Sequence, residues 1–213
     1  MKIIVYQVSL GCRDIIKRPL FIPKGVDYWA MTGPGTSLDA KRYKILPHLE
    51  FPNHDVSVWM DGNFQLTGDI RKVVKKFLKH SNFAVLRHPA ESLGIRPTVY
   101  REAEVAVLQK VDTKERIMKQ IEFYRAQGLP EDTEVVMNGI LIRRHNNLFI
   151  KTFDNNWWWE IQNKSSRDQI SFPYLAWKYR LKYTKMDNIE FKSDWFVMHP
   201  HTGERKYDYS SRF

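Results

Sequence analysis

The segment Asp55-Val-Ser-Val-Trp-Met-Asp61-Gly62-Asn63 carries the clearest chemical signal in the chain. Its apolar middle, residues 56–60, reads as a buried strand, and open α/β sheets bind ligands just beyond the carboxyl ends of their strands. Asp61 would deliver a carboxylate to that edge, Gly62 would let the backbone turn tightly, and Asn63 would add a second oxygen. Hard divalent cations choose oxygen ligands and leave room for substrate phosphates. A metal between Asp61 and a diphosphate would neutralise charge building on a leaving group. The bland account of the same letters is a β-turn, because Asp-Gly is a common turn pair. Upstream, Arg42 offers a guanidinium that can grip phosphate bidentately, and Lys44, on the same basic stretch as Lys41, offers a point charge. A solvated basic helix face explains them as well. Downstream, Ser165, Ser166 and Asp168 precede an apolar run and by themselves read as a helix cap.

Several elements must position these groups. Residues 3–8 are β-rich and lead to Gly11, a strand and then a loop. Residues 26–32 form a second strand, closed by the turn signal Gly33-Pro34-Gly35. Residues 38–46 are helical, with Asp39 near the start and Pro47 at the end. Over residues 67–80, Ile70, Val73, Val74, Phe77 and Leu78 share one helical face, while Arg71, Lys72, Lys75, Lys76 and Lys79 take the other. Residues 83–86 make a strand that places His88 on the loop beyond it. Glu102 and Glu104 follow a Pro/Gly-containing stretch of the kind that covers a pocket. A helix opens at Asp112 or Thr113 and stops at Gly128. Residues 135–142 form a strand interrupted at Asn138-Gly139, where it bends or meets a ligand closely. A helix over 172–178 and a strand over 195–198 complete the series. The alternation predicts a single α/β domain over residues 1–213, its mainly parallel, twisted sheet flanked by helices. Of Trp157, Trp158 and Trp159, at least two belong to the core or its boundary rather than to a sugar platform.

Composition narrows the class. Among 213 residues, 43% are hydrophobic and 14% aromatic, enough to bury a core and to exclude disorder of the whole chain. One cysteine, Cys12, excludes an internal disulfide and a cysteine-rich zinc site. Lys and Arg number 34 against 24 acidic residues, and the net charge of +10 favours anionic partners. The apolar start is short, is broken by Gln7 and leads into Gly11, Arg13 and Asp14, unlike a secretory signal. No run approaches the roughly 18 apolar residues of a membrane span. A soluble, cytoplasmic protein is the expectation.

A set of motifs in fixed order then resembles a known family. It comprises Lys41-Arg-Tyr-Lys44 through His48, Phe51-Pro-Asn-His-Asp55, Trp59-Met-Asp61-Gly62-Asn63, Arg87-His88-Pro89 and Tyr100-Arg-Glu102-Ala-Glu104. Asn138-Gly139 through Arg143-Arg144-His145-Asn146 and Arg167-Asp168-Gln169 through Phe172 follow. Together, over about residues 1–185, they resemble the glycosyltransferase-like domain of plant mucilage and turgor-regulation proteins, which bacterial and viral relatives share. The resemblance implies a GT-A-type fold in which Asp61-Gly62-Asn63 holds a divalent metal, manganese or magnesium, with a nucleoside-diphosphate sugar such as a UDP-sugar. Asn63 stands where many relatives carry a second aspartate, and Arg13-Asp14 stands where a Tyr-Asp pair is expected. It further implies donor contacts from Arg42, Lys44 and Lys206. Asp168 and Gln169 lie beside the donor sugar, with Asp168 either orienting it or acting as a base. His88, Glu102, Asn138, Gly139 and Arg143 are implied substrate contacts, and His199 or His201 completes the metal shell, with the tail 186–213 closing the site.

Three activities compete on these residues. The first is sugar transfer to a hydroxyl, either of a glycan or, given the positive charge, of a hydroxylated base in DNA flipped into the pocket. On the DNA reading, Arg71, Lys72, Lys75, Lys76 and Lys79 would contact the backbone. The second is nucleic-acid binding without catalysis. The third is a phosphodiesterase using Asp61, His88, Asp168 and His199.

Overall fold

The computed structural model describes residues 1–11, 14–186 and 193–202. Its first strand, β1 (Ile3–Leu10), is buried throughout. Ile4, Tyr6, Val8 and Leu10 face one layer of core, and Ile3 and Val5 face the other, the period-two alternation of a strand covered on both sides. β2 (Val26–Gly33) and β3 (Val56–Met60) both run parallel to β1, one on each side. β6 (Met137–Arg143) then pairs antiparallel with β3 and with β5 (Phe83–Leu86), and β7 (Thr184–Met186) returns parallel to β5. The sheet order is β2-β1-β3-β6-β5-β7, so three of its five pairings are parallel and only β6 is reversed. This is the expected α/β class with a mainly parallel sheet.

One sheet face carries α1 (Ser37–Ile45), α4 (Val99–Leu108), α5 (Lys114–Ala126), α6 (Leu148–Asn163) and α7 (Asp168–Lys178), packed over Tyr6, Trp59, Phe83 and Leu141. A short α2 (Pro47–Glu50) follows α1. The other face carries α3 (Ile70–Phe77) and a ribbon of β4 (Phe64–Leu66) with β8 (Phe196–Met198). The apolar face of α3 is the one expected, but the helix is shorter than 67–80. Thr67 and Gly68 bond instead to the Trp195 carbonyl, and Asp69 caps the helix. The Pro/Gly-containing stretch before Glu102 forms a 3-10 turn over Pro89–Leu93 and leads into α4, and its Pro89, Ile95, Arg96 and Pro97 line a cavity beyond the sheet edge. Trp157 is buried, Trp158 half-buried and Trp159 exposed, all on α6, and none of them lines the cavity beyond the sheet edge that carries Asp61. Gln7, the polar residue inside β1, earns its buried place. Its amide donates to the carbonyls of Asp61 and Phe64 at 3.2 and 2.8 Å, fixing the turn beyond β3. No helix among the described residues is long and apolar enough to cross a membrane.

Candidate active site

The chain leaves β1 to form β2 on one side, then returns to form β3 on the other. Such a reversal opens a crevice at the carboxyl ends of the diverging strands, where α/β sheets bind their ligands. A cavity of about 1070 Å³ lies there. Residues 8–11 line it from the end of β1, and Trp59, Asp61 and Gly62 from the end of β3. Lys41 and Lys44 reach it from α1, His88 from the loop after β5, Glu102 from α4, and Asn138 and Gly139 from β6. Arg167, Asp168 and Gln169 enter at the start of α7, and Asp14 and His201 complete the wall.

A charged chain crosses this cavity. The Lys44 ammonium lies 3.2 Å from Asp61 Oδ1 and 2.9 Å from Asp168 Oδ2. Lys41 lies 3.4 Å from Asp168 Oδ1 and donates to the Ser166 carbonyl. Local geometry explains the convergence. Lys41 and Lys44 are three apart on a helix and share a face; Trp59 and Asp61 are two apart at a strand end and point the same way. The Trp59 indole accordingly donates to Asp61 Oδ1 at 2.7 Å. Asp61 Oδ2 takes no hydrogen bond among the described residues, and its side chain is 39% exposed against 6% for Asp168. Asp168 does not cap its helix: it is the first helical residue of α7, and Arg167 occupies the cap position without bonding its side chain to the helix amides. Arg167 instead pairs with Glu102 at 2.7 Å.

Burial and charge pull these groups in opposite directions. Burial alone would raise the Asp168 carboxyl, but Lys44, Lys41 and Arg167 outweigh it and hold it well below the usual carboxylate range. Burial would likewise lower Lys44, and the two facing carboxylates overcome that and raise it. Lys41 is lowered, because its desolvation exceeds the help from Asp168. Burial also pushes His88 down, so its ring is neutral at pH 7. Its Nδ1 accepts from the Ala90 amide at 3.2 Å, which leaves the proton on Nε2. Asn138 is 2% exposed, and neither its amide oxygen nor its nitrogen has a partner among the described residues.

Several expected contacts lie elsewhere. Arg143 is fully buried in the core, paired with Asp154 at 2.9 Å and bonded to the Lys44 carbonyl, so it supports α1 from beneath and does not line the cavity. Arg42 turns outward to Glu50 and is absent from the cavity wall. The Asn63 amide donates to the His199 carbonyl at 3.2 Å, and the His199 ring meets Gln65 at 3.1 Å. Both belong to the junction of the β4–β8 ribbon, and neither lines the cavity. Gly139 is needed for packing: a Cβ there would stand 2.7 Å from the Phe64 ring. Gln169 lines the cavity with its amide tied to the Val136 carbonyl at 3.3 Å. Lys206 and the tail beyond 202 lie outside the described residues. Of the two tail histidines, His201 is the one at the cavity, its Nδ1 3.0 Å from Asp14 Oδ1. Asp14, which the sequence marks only as the second half of the Arg13-Asp14 pair, joins the wall beside the tail, which it meets only in three dimensions. The involvement of Lys41 and Trp59 was legible from their spacing to Lys44 and Asp61.

Among the described residues, no three His, Cys, Asp or Glu side chains gather closely enough to cage a cation. Of the expected ligands, Asp61 presents its Oδ2 at the cavity, and a cation there would have to draw its remaining ligands from substrate oxygens and water.

The ordered motifs around this cavity have a known counterpart. The model of the TOD1/MUCI70 glycosyltransferase-like domain matches residues 36–199. The chain belongs to this family. The match starts after the β1–β2 pair and continues past residue 185 into β8, a span shifted relative to the expected one. Over 167 residues the chain is 31% identical to "Probable hexosyltransferase MUCI70" of Arabidopsis thaliana, covering 72% of this chain and 26% of that protein. It thus spans about a quarter of that relative's length. Among solved structures, mouse xyloside xylosyltransferase 1 aligns with a TM-score of 0.42 at 11% identity, over 78% of this chain and 64% of that one. A197 from STIV aligns at 0.44 and 10% identity, over 98% and 100%. At those scores neither adds weight, and the α/β assignment stands on the sheet order and the family membership.

Proposed function

We propose that this domain transfers a hexosyl group from a nucleoside-diphosphate sugar, of the UDP-sugar class, to an acceptor hydroxyl. The observation that carries the reading is the meeting of Asp61, Lys44 and Asp168 at the crevice between β1 and β3, within a glycosyltransferase-like domain. A divalent cation, manganese or magnesium, would be held there by Asp61 and by the diphosphate, and when bound would neutralise the departing diphosphate. Lys44 and Lys41 place further positive charge beside that leaving group, fixed in advance by Asp168, which is the arrangement that lowers a charged transition state most. Asp168, held far below the range of a base that works near pH 7, acts through this orientation and not by taking a proton. Asn138, whose buried amide is unpaired among the described residues, and His88 are the cavity-lining side chains suited to sugar hydroxyls.

A glycan hydroxyl is the acceptor class we favour. The DNA alternative drew on the basic face of α3, which contributes no residue to the cavity wall. The phosphodiesterase alternative loses His199, which is tied to Gln65. The decisive assay mixes the protein with manganese or magnesium and a panel of nucleoside-diphosphate sugars, and measures released nucleoside diphosphate. Parallel reactions offer an oligosaccharide panel, hydroxymethylated duplex DNA and a phosphodiester. Release from at least one donor, stimulated by an oligosaccharide and lost in Asp61→Asn, is the expected result. If no donor is bound or turned over with either cation, the proposal is withdrawn.

A further inference from the structure

The connection between β1 and β2 joins two parallel neighbours without a helix among its described residues, although a crossover helix usually covers the sheet in such units. Its composition is unusual. Residues 15–25 read Ile-Ile-Lys-Arg-Pro-Leu-Phe-Ile-Pro-Lys-Gly, five large apolar side chains and three cations with no acidic residue. The apolar side chains are not spent on the fold. Ile15 is 72% exposed, Leu20 71%, Phe21 49% and Ile22 41%. Lys17, Arg18 and Lys24 are exposed among them.

The segment is nevertheless held in place. Gln65 donates to the Arg18 carbonyl at 2.8 Å, and the Leu20 amide donates to the Leu66 carbonyl at 2.9 Å, so its middle lies along β4. Pro23 is buried and anchors the far end. β4 leads within four residues into α3, whose Arg71, Lys72, Lys75 and Lys76 are exposed and whose acidic neighbour Asp69 is already paired with Arg71. At its near end, Ile15 donates to Thr202 Oγ1 at 2.9 Å, beside the Asp14–His201 pair in the cavity wall.

We infer that residues 15–24 form a docking loop for an anionic membrane surface, with Leu20, Phe21 and Ile22 entering the interface and the flanking cations meeting lipid headgroups. Charge complementarity selects this occupant. A concentrated apolar surface marks a site of interaction, and interleaved Lys and Arg without any acid match a negatively charged leaflet, to which each cation adds attraction within a Debye length. The apolar tip supplies the part of the binding that salt does not screen. The loop begins beside the cavity wall, so docking would hold the cavity near the lipid surface. This inference is independent of which donor or acceptor the cavity takes.

Vesicle sedimentation tests it, using the full chain with phosphatidylcholine vesicles and with phosphatidylcholine–phosphatidylserine vesicles. The expected result is preferential binding to the anionic vesicles, only partly reversed by salt. Leu20→Asp/Phe21→Asp should weaken it about tenfold or more, with an unchanged thermal transition because both side chains are exposed. Lys17→Glu/Arg18→Glu should remove the preference for the anionic lipid. Three outcomes overturn the inference: no binding to anionic vesicles, equal binding by wild type and the Leu20/Phe21 variant, or loss only on Lys72→Glu/Lys75→Glu with the loop variants unaffected. A concentration-dependent dimer that Phe21→Asp abolishes, without vesicle binding, would instead assign the loop to self-association.

Discussion

Two buried cation–carboxylate groups meet at Lys44 and serve different ends. On the cavity side, the Lys44 ammonium links Asp168 to the half-exposed Asp61. On the core side, Arg143 bonds the Lys44 backbone carbonyl and pairs with Asp154, both side chains at 0% exposure. The chemistry is nearly the same; the surroundings decide the role. A pair with no solvent and no cavity beside it can only hold elements together, here β6, α6 and α1. A pair that leaves one carboxylate oxygen open at a sheet's crevice can exchange partners with a ligand.

Breaking each side should therefore give separate phenotypes. The largest effect expected is on stability. Arg143→Met leaves Asp154 buried without its partner and should cost about 3–5 kcal/mol, whereas Arg143→Met/Asp154→Leu should recover most of it. Denaturant unfolding measures both, and equal stability of the single variant and wild type would remove Arg143 from its structural role. On the cavity side, Asp61→Asn should lower donor turnover about 10²–10³-fold while shifting stability by roughly 1 kcal/mol or less. Lys44→Met should cut turnover about a hundredfold. Steady-state kinetics alongside thermal melting would separate these cases, and a cavity variant that unfolds without losing specific activity would erase the distinction.

The same contrast shows how far the residues could be read without coordinates. The place of Asp61 at the cavity was legible because an apolar strand carries it to the carboxyl edge of the sheet, and that of Asp168 because an ordered set of motifs surrounds it. Arg143 was misplaced for a physical reason: an arginine in a strand beside Asn138 and Gly139 looks the same whether it faces a ligand or a buried aspartate eleven residues on. α6 carries only a weak sequence signal, although Ile150, Phe153, Trp157 and Ile161 recur at helical spacing and Asn147 caps them. Exposed Phe149 and Trp159 blur the apolar stripe, and the Asp154-Asn155-Asn156 run resembles a turn. α4 was hidden by the Pro and Gly that precede it, since its cap, Thr98, lies directly after Pro97. Asp14 and His201 each stand in a recognisable stretch, but their contact across 187 positions is encoded in no local pattern.

A smaller effect sharpens the cavity side. The Glu102–Arg167 pair joins α4 to the start of α7 and touches the cavity at both residues. Glu102→Gln keeps the shape but removes the charge that steadies Arg167, and with it the approach of Asp168 to Lys41 and Lys44. Donor KM should rise about tenfold, equivalent to about 1.4 kcal/mol, with kcat changed less. An unchanged KM would mean that α7 is fixed by packing alone.

A gradual effect, spread over several pH units, sets the two groups directly against each other, because their carboxyls shift in opposite directions. Asp154 is raised by burial, against the opposing charge of Arg143, from 3.8 to about 7. Between those values the folded chain keeps a proton that the unfolded chain has lost, so the stability it contributes falls as pH rises from about 4 to 7, by at most about 1.4 kcal/mol per pH unit. Asp168 is depressed, burial notwithstanding, by Lys44, Lys41 and Arg167. Its contribution is complete above the ordinary carboxylate value and is lost only as acid drives pH down toward its folded value. Urea unfolding across pH should therefore show two limbs with opposite slopes. Asp154→Asn, which keeps the shape and can still accept from Arg143, should flatten the limb between 4 and 7 and leave the acid limb intact; Asp168→Asn should do the reverse. A slope above pH 4 that persists in Asp154→Asn would mean the buried aspartate is ionised beside its arginine, and the core pair would then owe its strength to charge as fully as the pair in the cavity does.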